Sequence, residues 1–141
     1  MSVSTSLDPS EERQRWVQTV RSFCDQVTQW SAAQGWPVAT SELELTEETL
    51  GTYSVPELNI QTQHGAVVVE PVARVVMGAV GRIDLFAYPT LFRVMLLRST
   101  QDGRWLIRTD SGIFLRQPWT EKTFRDLVAD LTGAADESSA H

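Results

Sequence analysis

The sequence predicts an α+β domain: a meandering antiparallel sheet of five to six strands, with an N-terminal and a C-terminal helix packed on one face. Three observations lead there. Apolar residues recur at helical spacing near both ends of the chain. Between those ends, β-branched and aromatic residues alternate with polar ones in short runs. The runs are joined by short turns, which suit antiparallel hairpins and leave no room for parallel crossovers. At 141 residues and 42% apolar content, one core and one domain are expected, over residues 9–132. Residues 1–8 and 133–141 are read as disordered or frayed ends.

The first helix starts at Asp8-Pro9-Ser10-Glu11, with Asp8 as N-cap, Pro9 at N1 and Glu11 at N3 in a capping box. Trp16, Val20, Phe23, Val27 and Trp30 then form one stripe, widened by Val17 and Cys24, and Gly35 ends it. Fewer than three heptads make a helix packed on the sheet a better reading than a coiled-coil seam. The last helix begins at N-cap Thr120, with Trp119 and Phe124 as a hydrophobic staple, buries Phe124, Leu127, Val128 and Leu131, and ends at Gly133. Core packing is expected of Trp16, Trp30 and Trp105, and is left open for Trp36 and Trp119.

Between the helices, residues 38–45 read as an edge strand with Glu42 and Glu44 outward. Residues 46–56 are not assigned. Leu58 to Gln63 and Val67 to Val69 pair through a turn at His64-Gly65. Pro71 either bends one strand over 66–77 or divides it into two. Three strands follow: Arg82 to Tyr88, Leu91 to Arg98 and Arg104 to Asp110.

Turn chemistry fixes the register of these three. A two-residue loop at Asp102-Gly103 pairs Leu97 with Arg108 and Met95 with Asp110; one at Pro89-Thr90 pairs Asp84 with Met95 and Arg82 with Leu97. The side predicted to be dry holds Ile83, Leu85, Ala87, Phe92, Val94, Leu96, Trp105 and Ile107. The opposite side holds two sets. Arg82, Asp84, Arg93, Arg108 and Asp110 are a candidate polar binding group, with Arg93 diagonally between the aspartates. Phe86, Tyr88, Leu91, Met95 and Leu97 are a candidate interface. An apolar patch of that size is expected to be covered, by residues 36–56 or by a second chain.

Composition narrows the function. Net charge is −6, yet residues 66–116 carry seven Arg against four acids, while residues 1–65 carry three against nine. The acidic ends make nucleic-acid binding the least favoured reading. A lone Cys24, no secretory leader in the opening residues and no apolar run long enough to cross a bilayer point to a cytoplasmic protein without membrane spans. His64 and His141 are the only histidines, so no His-based triad or metal cluster is expected, nor any cofactor. For the five charged residues the plain reading is cross-strand salt bridging that fixes register. Glu70 and Arg74 share a face, as a local ion pair, only if no bulge falls at Pro71.

The functional reading is a non-enzymatic interaction module, chaperone-like or immunity-like, whose partner is another protein chain or a second copy of itself. The alternative is a hydrolase or nuclease using Asp84 and Asp110 with Arg93, although the sheet offers no lysine to a nuclease. In outline alone, small acidic helix–sheet–helix chains resemble secretion-chaperone and immunity folds.

Overall fold

Asp8 supplies an acceptor that the first turn of a helix otherwise lacks. Its Oδ1 accepts the Glu11 N–H at 2.9 Å, and Pro9 fills the first helical position, where no N–H is needed. From that cap α1 runs over Pro9–Ala33, with Gly35 beyond its end at φ 77°. The computed structural model describes residues 8–109, 114–115 and 118–134. Within them follow β1 (Val38–Glu47), β2 (Gly51–Gln61), β3 (Ala66–Ala73), β4 (Arg82–Tyr88), β5 (Arg93–Arg98), β6 (Trp105–Thr109), β7 (Phe114–Leu115) and α2 (Glu121–Thr132). The strands pair antiparallel in sequence order, which is the predicted meander. Six of them are five residues or longer, and β7 adds two residues at the edge.

Both helices sit on one face. Trp16, Val20, Phe23 and Val27 of α1 share a single buried cluster with Phe124, Leu127, Val128 and Leu131 of α2 and with Ile83, Leu85, Leu96 and Ile107 of the sheet. Each such burial is worth roughly 1.5–3 kcal/mol, more than a helix cap, so packing rather than capping holds the helices in place. Phe23 stacks on Trp119 at 5.3 Å, while Trp36 and Trp119 meet Phe124 at 6.1 and 6.0 Å. Both tryptophans left open by the sequence therefore pack against the core, and Trp119 and Phe124 form the expected staple.

The segment 36–56 does not cover the far face of the sheet. It extends the sheet instead, because β2 begins at Gly51 and pairs with β1 along its whole length, from Val38–Ile60 to Glu47–Gly51. The inward set changes parity at Pro56: Tyr53 and Val55 are buried on one side of it, Leu58 and Ile60 on the other. A simple alternation search fails across such a switch, which is why the first half of β2 is invisible in the sequence. Glu47 closes the β1–β2 turn. Its carboxylate accepts the Arg74 and Val75 N–H groups, both at 2.9 Å, and the Tyr53 hydroxyl. Tyr53 in turn accepts Trp16 Nε1–H at 3.1 Å. Burial, and then Glu47, push the Tyr53 hydroxyl pKa well above its ordinary value. Glu47→Ala strands these donors and is expected to cost about 2 kcal/mol in urea unfolding, with Glu47→Gln losing less.

β3 runs continuously through Pro71, which is buried, and a bulge falls between Pro71 and Ala73. That bulge removes the same-face relation of Glu70 and Arg74. The β4–β5 register is the predicted one, with Arg82, Asp84 and Leu85 opposite Leu97, Met95 and Val94. The β5–β6 register is two residues from the predicted one: Leu97 faces Leu106 and Met95 faces Arg108. The loop has four residues, 100–103, because Ser99 N–H bonds to Arg104 O at 2.7 Å and Asp102 Oδ1 accepts the Arg104 N–H at 3.0 Å. A shift of two leaves every side chain on its predicted face. Phe92 is the exception among the core assignments. It lies in the loop before β5, beside Leu91 at φ 65°, and is 53% exposed.

Candidate functional site: the sheet face away from the helices

Period-two alternation puts Arg82, Asp84, Phe86 and Tyr88 of β4 on the side opposite the core, beside Arg93, Met95 and Leu97 of β5. Arg82 Nε and Nη2 donate to the two Asp84 oxygens at 2.7 and 2.8 Å, a fork-to-fork pair. Arg93 Nη1 donates to Asp84 Oδ2 at 2.6 Å, and its guanidinium lies 4.6 Å from the centre of the Phe86 ring. Asp84 is thereby sealed, at 0% exposure, while the Arg82 and Arg93 side chains remain 32% and 41% exposed. The Asp84 hydrogen bond raises the Arg82 pKa first, burial opposes it, and the charges of Asp84 and Glu70 add to the rise.

Three of the five predicted polar residues therefore meet: Arg82, Asp84 and Arg93. Arg108 sits one strand further, opposite Met95 in the same row as Asp84 rather than in the Arg82 row. Asp110 lies outside the described residues. Both Asp84 oxygens are occupied by guanidinium groups, and no group of three His, Cys, Asp or Glu side chains among the described residues is arranged to hold a metal. Cys24 is buried under α1, where burial and then Asp25 push its thiol up to about 12, so it stays protonated.

The candidate interface residues surround the triad. Phe86, Met95 and Leu97 are half-buried, and Tyr88 and Leu91 are exposed, with Tyr88 edge-on to Phe86 at 5.6 Å. Four further residues were not singled out for this face from the sequence. Val68 pairs with Phe86 and Leu106 with Leu97, extending the apolar centre. Glu70 pairs with Asp84, and Glu57 stands one position beyond the Leu58–Val69 pair, beside Glu70. Burial, and then the charge of Glu70, raise the Glu57 pKa above its usual 4.5. The register of the β2–β3 hairpin was the signal that could have found this acidic end. Among the described residues no helix or strand packs over the face.

The fold and the face together define an α+β helix–sheet–helix domain with one sheet surface covered by the helices and the other, among the described residues, open. No family model matches the chain, and comparison with curated proteins and with solved structures returns no match. No described helix is long and apolar enough to cross a membrane.

Proposed function

We propose that this chain is a non-enzymatic protein–protein interaction module working through the outer sheet face, and that its first partner is a second copy of itself. The observation that carries this reading is the composition of that face: Phe86, Met95, Leu97 and Leu106 are half-buried around the triad, and among the described residues no helix or strand lies over them. Partly exposed apolar side chains flanking a charged centre are the composition of an interaction surface.

Charge favours a copy of the same chain. The face runs from acidic at β2 and β3, with Glu57 and Glu70, to basic at β5 and β6, with Arg93 and Arg108. A two-fold axis along β4 lays Glu57 of one copy over Arg108 of the other, because each lies two strands, about 10 Å, from that axis. Two sheets packing face to face with aligned strands accommodate this arrangement. The Arg82–Asp84–Arg93 triad, two guanidinium groups on one carboxylate, then acts as a rigid centre, and the chaperone-like or immunity-like role is exercised by such a dimer or by a partner using the same surface. The enzyme alternative fits less well, since Asp84 is fully buried and accepts three hydrogen bonds from two guanidinium groups, which leaves it no access to a metal or a substrate proton.

Sedimentation equilibrium tests the reading. The parent chain is expected to dimerise at micromolar concentration, and Met95→Glu with Leu97→Glu to weaken association at least a hundredfold while leaving the circular dichroism spectrum unchanged. Acid adds a second arm. In the monomer, the raised Glu57 pKa means that the contribution of this group to folding is present below 4.5 and is lost as pH rises through the folded value. Pairing with Arg108 requires the carboxylate, so dimerisation is expected to weaken as pH falls through that same raised value. Glu57→Gln should abolish the pH dependence while slightly stabilising the monomer.

A further inference from the structure

A second feature lies apart from the triad, in a cleft of about 1230 Å³ between α1 and the β5–β6 hairpin. Its wall on the helix side is Gln18, Ser22 and Gln26, and its aromatic floor is Phe23, Trp105 and Trp119. The rings form one surface: Phe23 meets Trp105 at 5.1 Å and Trp119 at 5.3 Å. Arg98 stands at one end, half-buried, and its guanidinium is held by neutral groups. Nη1 donates to Thr19 Oγ1 at 2.8 Å and Nε to the Gly103 carbonyl at 3.2 Å.

Among the described residues no carboxylate lies within 4.0 Å of Arg98, whereas Arg82, Arg93 and Arg104 each have one. A half-buried guanidinium held in place by neutral acceptors and facing a cleft keeps its charge available to an incoming anion. The neighbouring polar groups on the helix wall are amides and a hydroxyl, which neither neutralise that charge nor repel an anion. Asp102 and Arg104 also line the cleft, and they pair with each other at 3.4 Å, so the one carboxylate there is engaged by a cation other than Arg98. The cleft is somewhat larger than the roughly 300–1,000 Å³ of most small-molecule sites and so has room for one, and apolar rings beside a few convergent polar groups are the usual chemistry of such sites.

We infer that this cleft binds a small aromatic anion, its carboxylate, sulfonate or phosphate on Arg98 and its ring against Phe23, Trp105 and Trp119. The site is independent of the outer face, so the two readings stand or fall separately.

NMR titration of the full-length, ¹⁵N-labelled chain tests it, with 2-naphthoate as the anionic probe and 2-naphthalenemethanol as its neutral counterpart. Saturable shifts of the Ser22, Ser99 and Thr100 amides with naphthoate are expected, with the alcohol at least tenfold weaker. Arg98→Gln should weaken naphthoate at least tenfold and bring the two probes level, whereas Arg98→Lys should retain part of the preference. Because Arg98 also ties α1 to the hairpin, Ser22→Trp provides the second variant: it fills the cleft from an exposed helix position and should block both probes. No saturable shifts at millimolar naphthoate, equal affinity for the alcohol, or binding unchanged in both Arg98→Gln and Ser22→Trp would each overturn the proposal.

Discussion

Replacing Arg82 and Arg93 together by methionine is expected to destabilise the domain by about 3–5 kcal/mol, the cost of leaving a buried charge without a partner. Asp84 is the reason. It is fully buried on a face that is otherwise only partly covered, and every strong donor it has comes from these two side chains. Either arginine alone leaves the other in place, so the single variants should cost far less than half of the double, a non-additivity expected of groups sharing one partner. Adding Asp84→Leu to the double variant should recover most of the loss, since an apolar substitute for a buried ion pair is often neutral or better. Urea unfolding of the four variants measures this directly. If the double variant costs under 1 kcal/mol, Asp84 is reached by water and the sealed-triad description fails.

Trp16→Ala is expected to cost about 3–5 kcal/mol, the usual range for an aromatic residue truncated in a core. Trp16 joins α1 to β2, to β6 and to the loop before β4: its indole N–H donates to Tyr53, its ring lies 6.5 Å from Trp105, and its far edge rests on Gly81. A Cβ at position 81 would come within 2.4 Å of that ring, so only glycine permits the approach. Gly81→Ala is therefore expected to cost at least about 1–3 kcal/mol by overpacking. In the Trp16→Ala background the same change should cost much less, because the atoms it collides with are gone. Thermal unfolding of the four members of this cycle gives the coupling. Additive costs would place the strain at Gly81 in its backbone rather than against the indole.

Much of this architecture is written in local sequence. Asp8-Pro9 and Gly35 bound α1, Thr120 and Gly133 bound α2, and the helical stripes name the core residues that meet the sheet. The β4–β5 register follows from counting across Pro89-Thr90, even though the loop itself is wider than two residues. What local sequence misses is what depends on distant partners. Asp102-Gly103 has the composition of a two-residue turn, but Arg98 bonding to Gly103 and Ser99 bonding to Arg104 close a four-residue loop instead. The parity change of β2 at Pro56 lies against α1, where Cys24 Sγ is 3.9 Å from the Pro56 carbonyl, a contact between residues 32 positions apart. At the candidate site, same-face placement of Arg82, Asp84 and Arg93 was legible because parity survives a slip of two residues. The acidic end at Glu57 and Glu70 was not, because it needs the β2–β3 and β3–β4 registers together.

The self-complementary face is the central claim, and reversing its charges tests it most directly. Sedimentation equilibrium would be run on Glu57→Arg, on Arg108→Glu and on the chain carrying both. Each single reversal sets like charges against each other across the two-fold axis and should weaken the dimer at least tenfold, while the double reversal restores opposite signs and should recover most of the lost affinity. A chain that stays monomeric at high micromolar concentration, or a double reversal no tighter than the weaker single one, would contradict pairing of two copies through this face.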